Sequence, residues 1–242
     1  MSHNLKSILI FVFVILSNQT LYGKDNDSKI LVIGGTGRIG SEIVKALTIN
    51  HSDITVMSRA KRSIDVLDGY EIKFVKADVL DEKEVARVFQ SNKYDVVINA
   101  IAKVNDDKNP HALGQINLNK WSKNSGVKHF ILIGSVGASQ NQGPLVSDLT
   151  WKKWGETLKS KGLAEESLIK SGITYTVIRT GIIIYDDTPS TGTGRLSVDQ
   201  NIVGIITRKD LAIQTAGCIM KSKCKNKVFH ALDESLLMKD GN

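Results

Sequence analysis

Gly34, Gly37 and Gly40 stand three residues apart in the stretch KILVIGGTGRIGSEIVKAL, where an apolar run gives way to a helical pattern. Each position has a separate use for glycine. The first allows a tight turn, the second lets backbone approach an anion, and the third lets the following helix press against the strand. The helix that begins there also offers unpaired N–H groups and a partial positive charge to the same anion. The chemistry expected of this stretch is therefore the binding of a dinucleotide pyrophosphate.

The end of the next strand chooses between dinucleotides. An Asp or Glu about 20 residues beyond the glycines would grip a ribose 2′-hydroxyl. Here that place reads VMSRAKR, with no acid. Arg59 and Arg62 stand there instead, and Arg38 lies inside the glycine turn. Guanidinium groups suit a 2′-phosphate by charge and by forked geometry, so NADP is expected rather than NAD. Arg62 reads equally well as an ordinary surface residue. Asp53 is acidic but sits at the wrong end of its strand.

These residues need a scaffold, and the pattern supplies one. Strand-like runs at 30–34, 53–58, 71–77, 95–100, 129–134 and 174–179 alternate with helical segments at 38–49, 112–125 and 149–170, and DEKEVARVF carries a capping box from Asp81 to Glu84. That alternation predicts an α/β, Rossmann-type, doubly wound parallel sheet. Beyond Arg179 the pattern loosens into a Gly/Thr/Ser/Pro loop at 186–194, a helix expected at 208–221 and a strand at 228–231. At 242 residues with 41% hydrophobic content, the chain can bury one sizeable core but is short for two full domains.

With these pieces in place, the chain resembles the atypical short-chain dehydrogenases/reductases, and within them the NmrA-like proteins and the biliverdin/flavin reductases. GGTGRIG matches the family's glycine turn and brings Thr36 and Ile39 into the cofactor site. KADVLD matches the segment whose aspartate, here Asp78 followed by Val79, faces the adenine. INAIA matches the strand end beside the cofactor, with Ala100. FILIGSVGA matches the strand that ends in the family's active-site serine, here Ser135. GLAEESLIKSGITYTVIRTG matches a helix and strand shared by the atypical members.

The departures bear on the chemistry. Family dehydrogenases carry a tyrosine followed four residues later by a lysine, on one helix face, so that the ammonium lowers the phenol's pKa. Aligned on Lys161, that tyrosine is Thr157. An aliphatic hydroxyl is no substitute for a phenol of pKa about 10 as a general acid. Lys161 remains able to hold the nicotinamide ribose. Tyr175 reads as core, and Tyr185, at the C-terminal end of a strand, as a candidate substrate contact. Trp151 and Trp154 either wall a flat acceptor or pack against the body of the protein. His111 reads as a solvated loop residue and His230 as part of the last strand. No metal-ligand spacing is present.

Residues 1–23 have the shape of a signal peptide: a lone Lys6, an apolar run over 8–16, then SNQT and Gly23. The run is short for about 30 Å of hydrocarbon. Leu21 stands where a small residue is preferred before cleavage, so an uncleaved anchor over residues 5–17 stays open. Residues 24–28 form a polar linker to a domain over 29–242. The expectation is an exported protein, periplasmic or secretory if the leader is cleaved, or one held at a membrane through its N-terminal segment. Cys218 reads as a small apolar residue, with a local bridge to Cys224 open in an oxidising compartment. Of the net charge of +7, much lies in KSKCKNK, residues 221–227, read as a solvated loop. With no arginine and aromatic interleaving, no nucleic-acid partner is expected.

Three functions compete. The first is an NADP-dependent reductase passing hydride to a conjugated small-molecule acceptor such as a flavin, quinone or tetrapyrrole, with Ser135 positioning the acceptor or the carboxamide and the loop 188–194 closing part of the pocket. The second is a non-catalytic, NADP-responsive regulator or assembly factor. The third is a conventional dehydrogenase or sugar epimerase, against which Thr157 argues.

Overall fold

The computed structural model describes residues 28–59, 66–102, 109–138, 145–184 and 187–236. The leader, Arg62 and Tyr185 lie outside the described residues.

Six strands, β1 (Ile30–Ile33), β2 (Ile54–Ser58), β3 (Lys73–Lys76), β4 (Val96–Asn99), β5 (His129–Ser135) and β6 (Tyr175–Thr180), alternate with four helices, α1 (Arg38–Thr48), α2 (Glu82–Ser91), α3 (His111–Asn124) and α4 (Asp148–Lys170). After them come β7 (Ile182–Ile184), β8 (Arg195–Ser197), β9 (Ile205–Thr207), α5 (Arg208–Ala216) and β10 (Lys227–Leu232). The main sheet runs β3-β2-β1-β4-β5-β6-β10-β8, parallel throughout except that β8 is antiparallel to β10. This is the doubly wound order expected from the alternation.

A parallel sheet covered on both faces needs strands apolar on both sides. In β1, Ile30 and Val32 enter one core with Ile43, Val44 and Leu47 of α1 and Leu211 of α5. Leu31 and Ile33 enter the other, with Val85 and Phe89 of α2, Leu118 of α3 and Leu168 of α4. The reversal of strand order falls between β1 and β4, the crevice where such sheets bind ligands.

The last third of the domain departs from the expectation. β7 and β9 form a separate parallel pair, and β7, β8 and β9 have three residues each, too short for periodicity to register. The helix expected over 208–221 stops at Ala216. The chain then turns through Met220, at φ 56°, and bridges Cys218 to Cys224 in a buried disulfide. Cys218 is thus apolar packing and covalent staple together.

His129, fully buried at the start of β5, holds this bridged turn against the sheet. Met220 N–H donates to His129 Nδ1 at 3.1 Å, so Nε2 carries the proton. It donates to Thr176 Oγ1 at 2.8 Å, and that hydroxyl donates to the Cys224 carbonyl, also at 2.8 Å. Burial, with Lys225 nearby, lowers the His129 pKa to about 4, so the ring stays neutral and the relay keeps one direction.

Candidate functional site

The glycine turn is built as its spacing implies. Gly34 has φ +74°, and its N–H donates to the Met57 carbonyl at 3.0 Å, fastening the turn to β2. A Cβ on Gly40 would stand 2.1 Å from the Gly34 carbonyl oxygen, so α1 can pack here only without a side chain. Gly37 is the N-cap of α1, with no side-chain cap and no acid in the first turn. The first N–H groups of the helix are left to an anion, and the cradle fits a pyrophosphate.

Beside the turn, Thr36 Oγ1 donates to Ser58 Oγ at 3.1 Å, tying the glycine loop to the end of β2. Arg38 and Arg59, which follow Thr36 and Ser58 closely in the chain, are exposed, and Ile39 packs against the core. Ser58 is a member of this corner that the motifs did not single out. Its signal was its position at the strand end, directly before Arg59.

The segment after β3 is shaped by its carboxylates. Asp81 caps α2, accepting from Lys83 N at 2.9 Å and Glu84 N at 3.3 Å. Glu84 does not close the expected box on Asp81. Its carboxylate takes the Asp78 N–H instead, at 2.7 Å, while Asp78 Oδ1 accepts from Leu80 N at 2.9 Å. Asp78 is thereby held from both ends at the crevice, and Val79 and Ala100 are buried beside it. Gly114 of α3 packs on Val79, where a Cβ would come within 2.6 Å of its side chain.

A buried chain of amides, missed by the motifs, runs across the back of the crevice. Asn99 Nδ2 donates to Gln115 Oε1 at 2.8 Å, Gln115 Nε2 to Asn119 Oδ1 at 2.7 Å, and Asn119 Nδ2 to Ser167 Oγ at 2.9 Å. It couples the C-terminal end of β4 to α3 and α4. The signal was in the sequence: Gln115, Asn117 and Asn119 crowd polar atoms onto a helix with too few apolar residues to bury a face otherwise.

Ser135 lies at the C-terminal end of β5, half-buried, its hydroxyl 3.5 Å from the Thr180 carbonyl. Thr157, Lys161 and Glu165 follow one another at four-residue spacing along α4. Thr157 is 9% exposed and Glu165 2%, so this row faces the sheet. Between them, Lys161 is half-buried with no ion-pair partner among the described residues. Desolvation lowers its pKa to about 8. A lysine so placed, next to a crevice, has the character of a site residue. Trp151 is half-buried and lies over Gly155, while Trp154 is exposed with Lys153 over its ring. His111, expected in a solvated loop, is instead buried as the first residue of α3.

The loop 188–194 is held down by two buried aspartates. Asp210, at the start of α5, accepts from Ser190 Oγ at 2.6 Å, from Thr191 N at 2.9 Å and from Thr207 Oγ1 at 2.6 Å. Asp233, just past β10, accepts from Thr193 Oγ1 at 2.8 Å, from Ser235 Oγ at 2.7 Å and from Thr191 Oγ1. Burial alone would raise the Asp233 pKa, but the donated bonds outweigh it and hold the carboxyl at about 2.

Known proteins resemble this chain. The chain is 27% identical to UDP-glucose 4-epimerase of Vibrio cholerae over 234 residues, which are 84% of this chain and 70% of that protein. It is 32% identical to sanguinarine reductase of Eschscholzia californica over 123 residues, 48% of this chain and 42% of that one. An anaerobillin reductase of Escherichia coli O157:H7 has the same fold, with a TM-score of 0.73 and 20% identity over 86% of this chain and 98% of its own. Residues 34–221, from the first glycine of the turn into the bridged segment after α5, match the NAD(P)H-binding family, and the chain belongs to that family.

Proposed function

We propose that the protein is an NADPH-dependent reductase that passes hydride to a conjugated small-molecule acceptor of flavin, quinone or tetrapyrrole type. The observation that carries the reading is the inner row of α4. Thr157, buried, stands where a dehydrogenase needs its phenol, yet Lys161 and the whole nucleotide cradle are kept. A simple ketone needs a proton delivered as hydride arrives. A conjugated acceptor spreads the charge and can take its proton from water.

NADPH, when bound, supplies the hydride. The α1 N-terminus takes its pyrophosphate, and the corner of Thr36, Arg38, Ser58 and Arg59 takes the 2′-phosphate. Asp78 lies toward the adenine. Lys161 holds the nicotinamide ribose with an ammonium that is charged at neutral pH, and Ser135 orients the acceptor or the carboxamide. A relative named as a sanguinarine reductase supports the class of reaction.

The purified protein should oxidise NADPH faster with flavins, quinones or linear tetrapyrroles than with ketones or aldehydes. Tight NADPH binding without turnover on any of them would leave the second reading, an NADP-responsive regulator. The Cys218–Cys224 bridge favours that second reading in one respect. Disulfides persist in oxidising compartments, where NADPH is scarce. The bridge equally supports export of the domain behind its leader.

A further inference from the structure

In a doubly wound domain, strand beginnings and helix ends gather at one end of the molecule, and the nucleotide crevice lies at the other. Here the first end is a lysine face. Lys29, Lys73, Lys93 and Lys128 precede or open β1, β3, β4 and β5 and are exposed. Strand register sets Ile30 beside Ile54 and Val96, and Val96 beside His129, so these starts form one row. Across seven parallel strands at about 4.8 Å spacing the row is about 30 Å wide. The turn before β10 continues it with Lys221, Lys223, Lys225 and Lys227.

Lys123 and Lys170 add to the face, but both lie in the last turns of their helices, where a cation complements the dipole. That explanation does not reach the strand starts or the 221–227 turn. Among the described residues the carboxylates at this end are fewer than the lysines: Asp53 pairs with Lys73 at 2.9 Å, Asp95 with Lys128 at 2.8 Å and Glu166 with Lys170 at 2.6 Å, and Glu71 is exposed just before β3. Asp95 also accepts the Lys29 backbone N–H at 2.9 Å, whereas no carboxylate among the described residues forms an ion pair with Lys93 or the four lysines of the turn. The excess positive charge of the chain is thus concentrated opposite the nucleotide crevice.

We propose that this face docks on an anionic bilayer. The argument joins charge to connectivity. The apolar run at 8–16 reaches the domain through the start of β1, in the middle of the lysine row. Twelve residues, 17–28, separate residue 16 from residue 29, a tether of at most about 45 Å. An apolar segment in the bilayer would hold the face near the headgroups, and a short apolar segment with a polybasic patch together give the two signals that stable anchoring takes. The crevice would then open away from the membrane. Among the described residues the face has no arginine, and no aromatic interrupts the 221–227 lysines, which disfavours a nucleic acid.

The test uses the full chain and its Lys221→Gln/Lys223→Gln/Lys225→Gln/Lys227→Gln variant, with phosphatidylcholine vesicles that either contain or lack phosphatidylglycerol. Matching far-UV spectra and melting curves establish that the variant is folded. The wild type should prefer the anionic vesicles, and the variant should lose about a hundredfold of that preference, as should the wild type in high salt. Equal binding to both vesicle types would overturn the proposal, because the apolar run would then account for all of it. So would a variant that binds anionic vesicles like the wild type, or one that loses only the binding of a single-stranded oligonucleotide.

Discussion

Arg179 of β6 and Glu165 of α4 form a two-point ion pair inside the domain, Nε to Oε2 at 3.0 Å and Nη2 to Oε1 at 2.5 Å. Arg179 Nη1 also donates to Gln200 Oε1 at 2.9 Å, so most of the fork is satisfied. Breaking one side of such a pair leaves a buried charge alone. Arg179→Met or Glu165→Met should each cost about 3–5 kcal/mol in urea unfolding, and the double variant should recover much of the loss. A double variant as unstable as either single would show that the pair does not act as a unit.

Gly40→Ala places a methyl group where the Gly34 carbonyl already stands. Either α1 shifts or the turn opens, at about 3 kcal/mol, and NADPH affinity should fall with stability. Calorimetry with and without nucleotide checks both.

Arg59→Glu should weaken NADPH about 10- to 100-fold while leaving NADH nearly unchanged, the range expected for one charge-assisted contact to phosphate. Arg38→Gln should act in the same direction. Titrations with the two nucleotides read the selectivity, and equal losses for both would place the 2′-phosphate elsewhere.

Lys161 titrates near 8 in the folded chain and about 10.4 unfolded. Between these values the unfolded chain binds the extra proton, so stability should rise with pH from about 8 to 10. Below 8 the desolvated ammonium is a standing cost. Lys161→Met should therefore raise the melting temperature of the nucleotide-free protein at pH 7 and flatten the alkaline rise, while weakening NADPH binding. A melting temperature lowered at pH 7 would count against the desolvated ammonium.

Asp233 has the opposite sign. Its folded pKa of about 2 lies below the unfolded value, so its contribution is present above about pH 4 and is lost as pH falls toward 2. Asp233→Asn should cost about 2 kcal/mol at neutral pH, release the loop 188–194 to proteolysis, and remove part of the acid sensitivity. Limited proteolysis at two pH values reads it.

Sequence and structure agree where the reasoning is local and repetitive. The glycine turn, six strands and α1 declared themselves because each has a period or a spacing that only one geometry satisfies. Family motifs put Asp78 and Ser135 near strand ends and Lys161 on a helix, and those are their positions in the fold. What escaped depends on distant partners. Glu84 could close its box on Asp81 or reach to Asp78, and only the loop geometry chose. His129 looked like any strand residue, since its relay to Met220 and Cys224 spans about ninety positions. In the amide chain from Asn99 to Ser167 the Gln115–Asn119 contact lies within α3, but its two ends needed β4 and α4 to be assembled against that helix.

The two borders of the sheet have a consequence of their own. β3 has four residues and carries Lys73 and Lys76 exposed at its ends; β8 has three and begins with the exposed Arg195. A long, flat, apolar margin would recruit the matching margin of another copy and grow without limit. These margins are too short and too charged to serve as a template, so hydrogen bonding stops at eight strands. Copies of the domain can then crowd together without joining margin to margin.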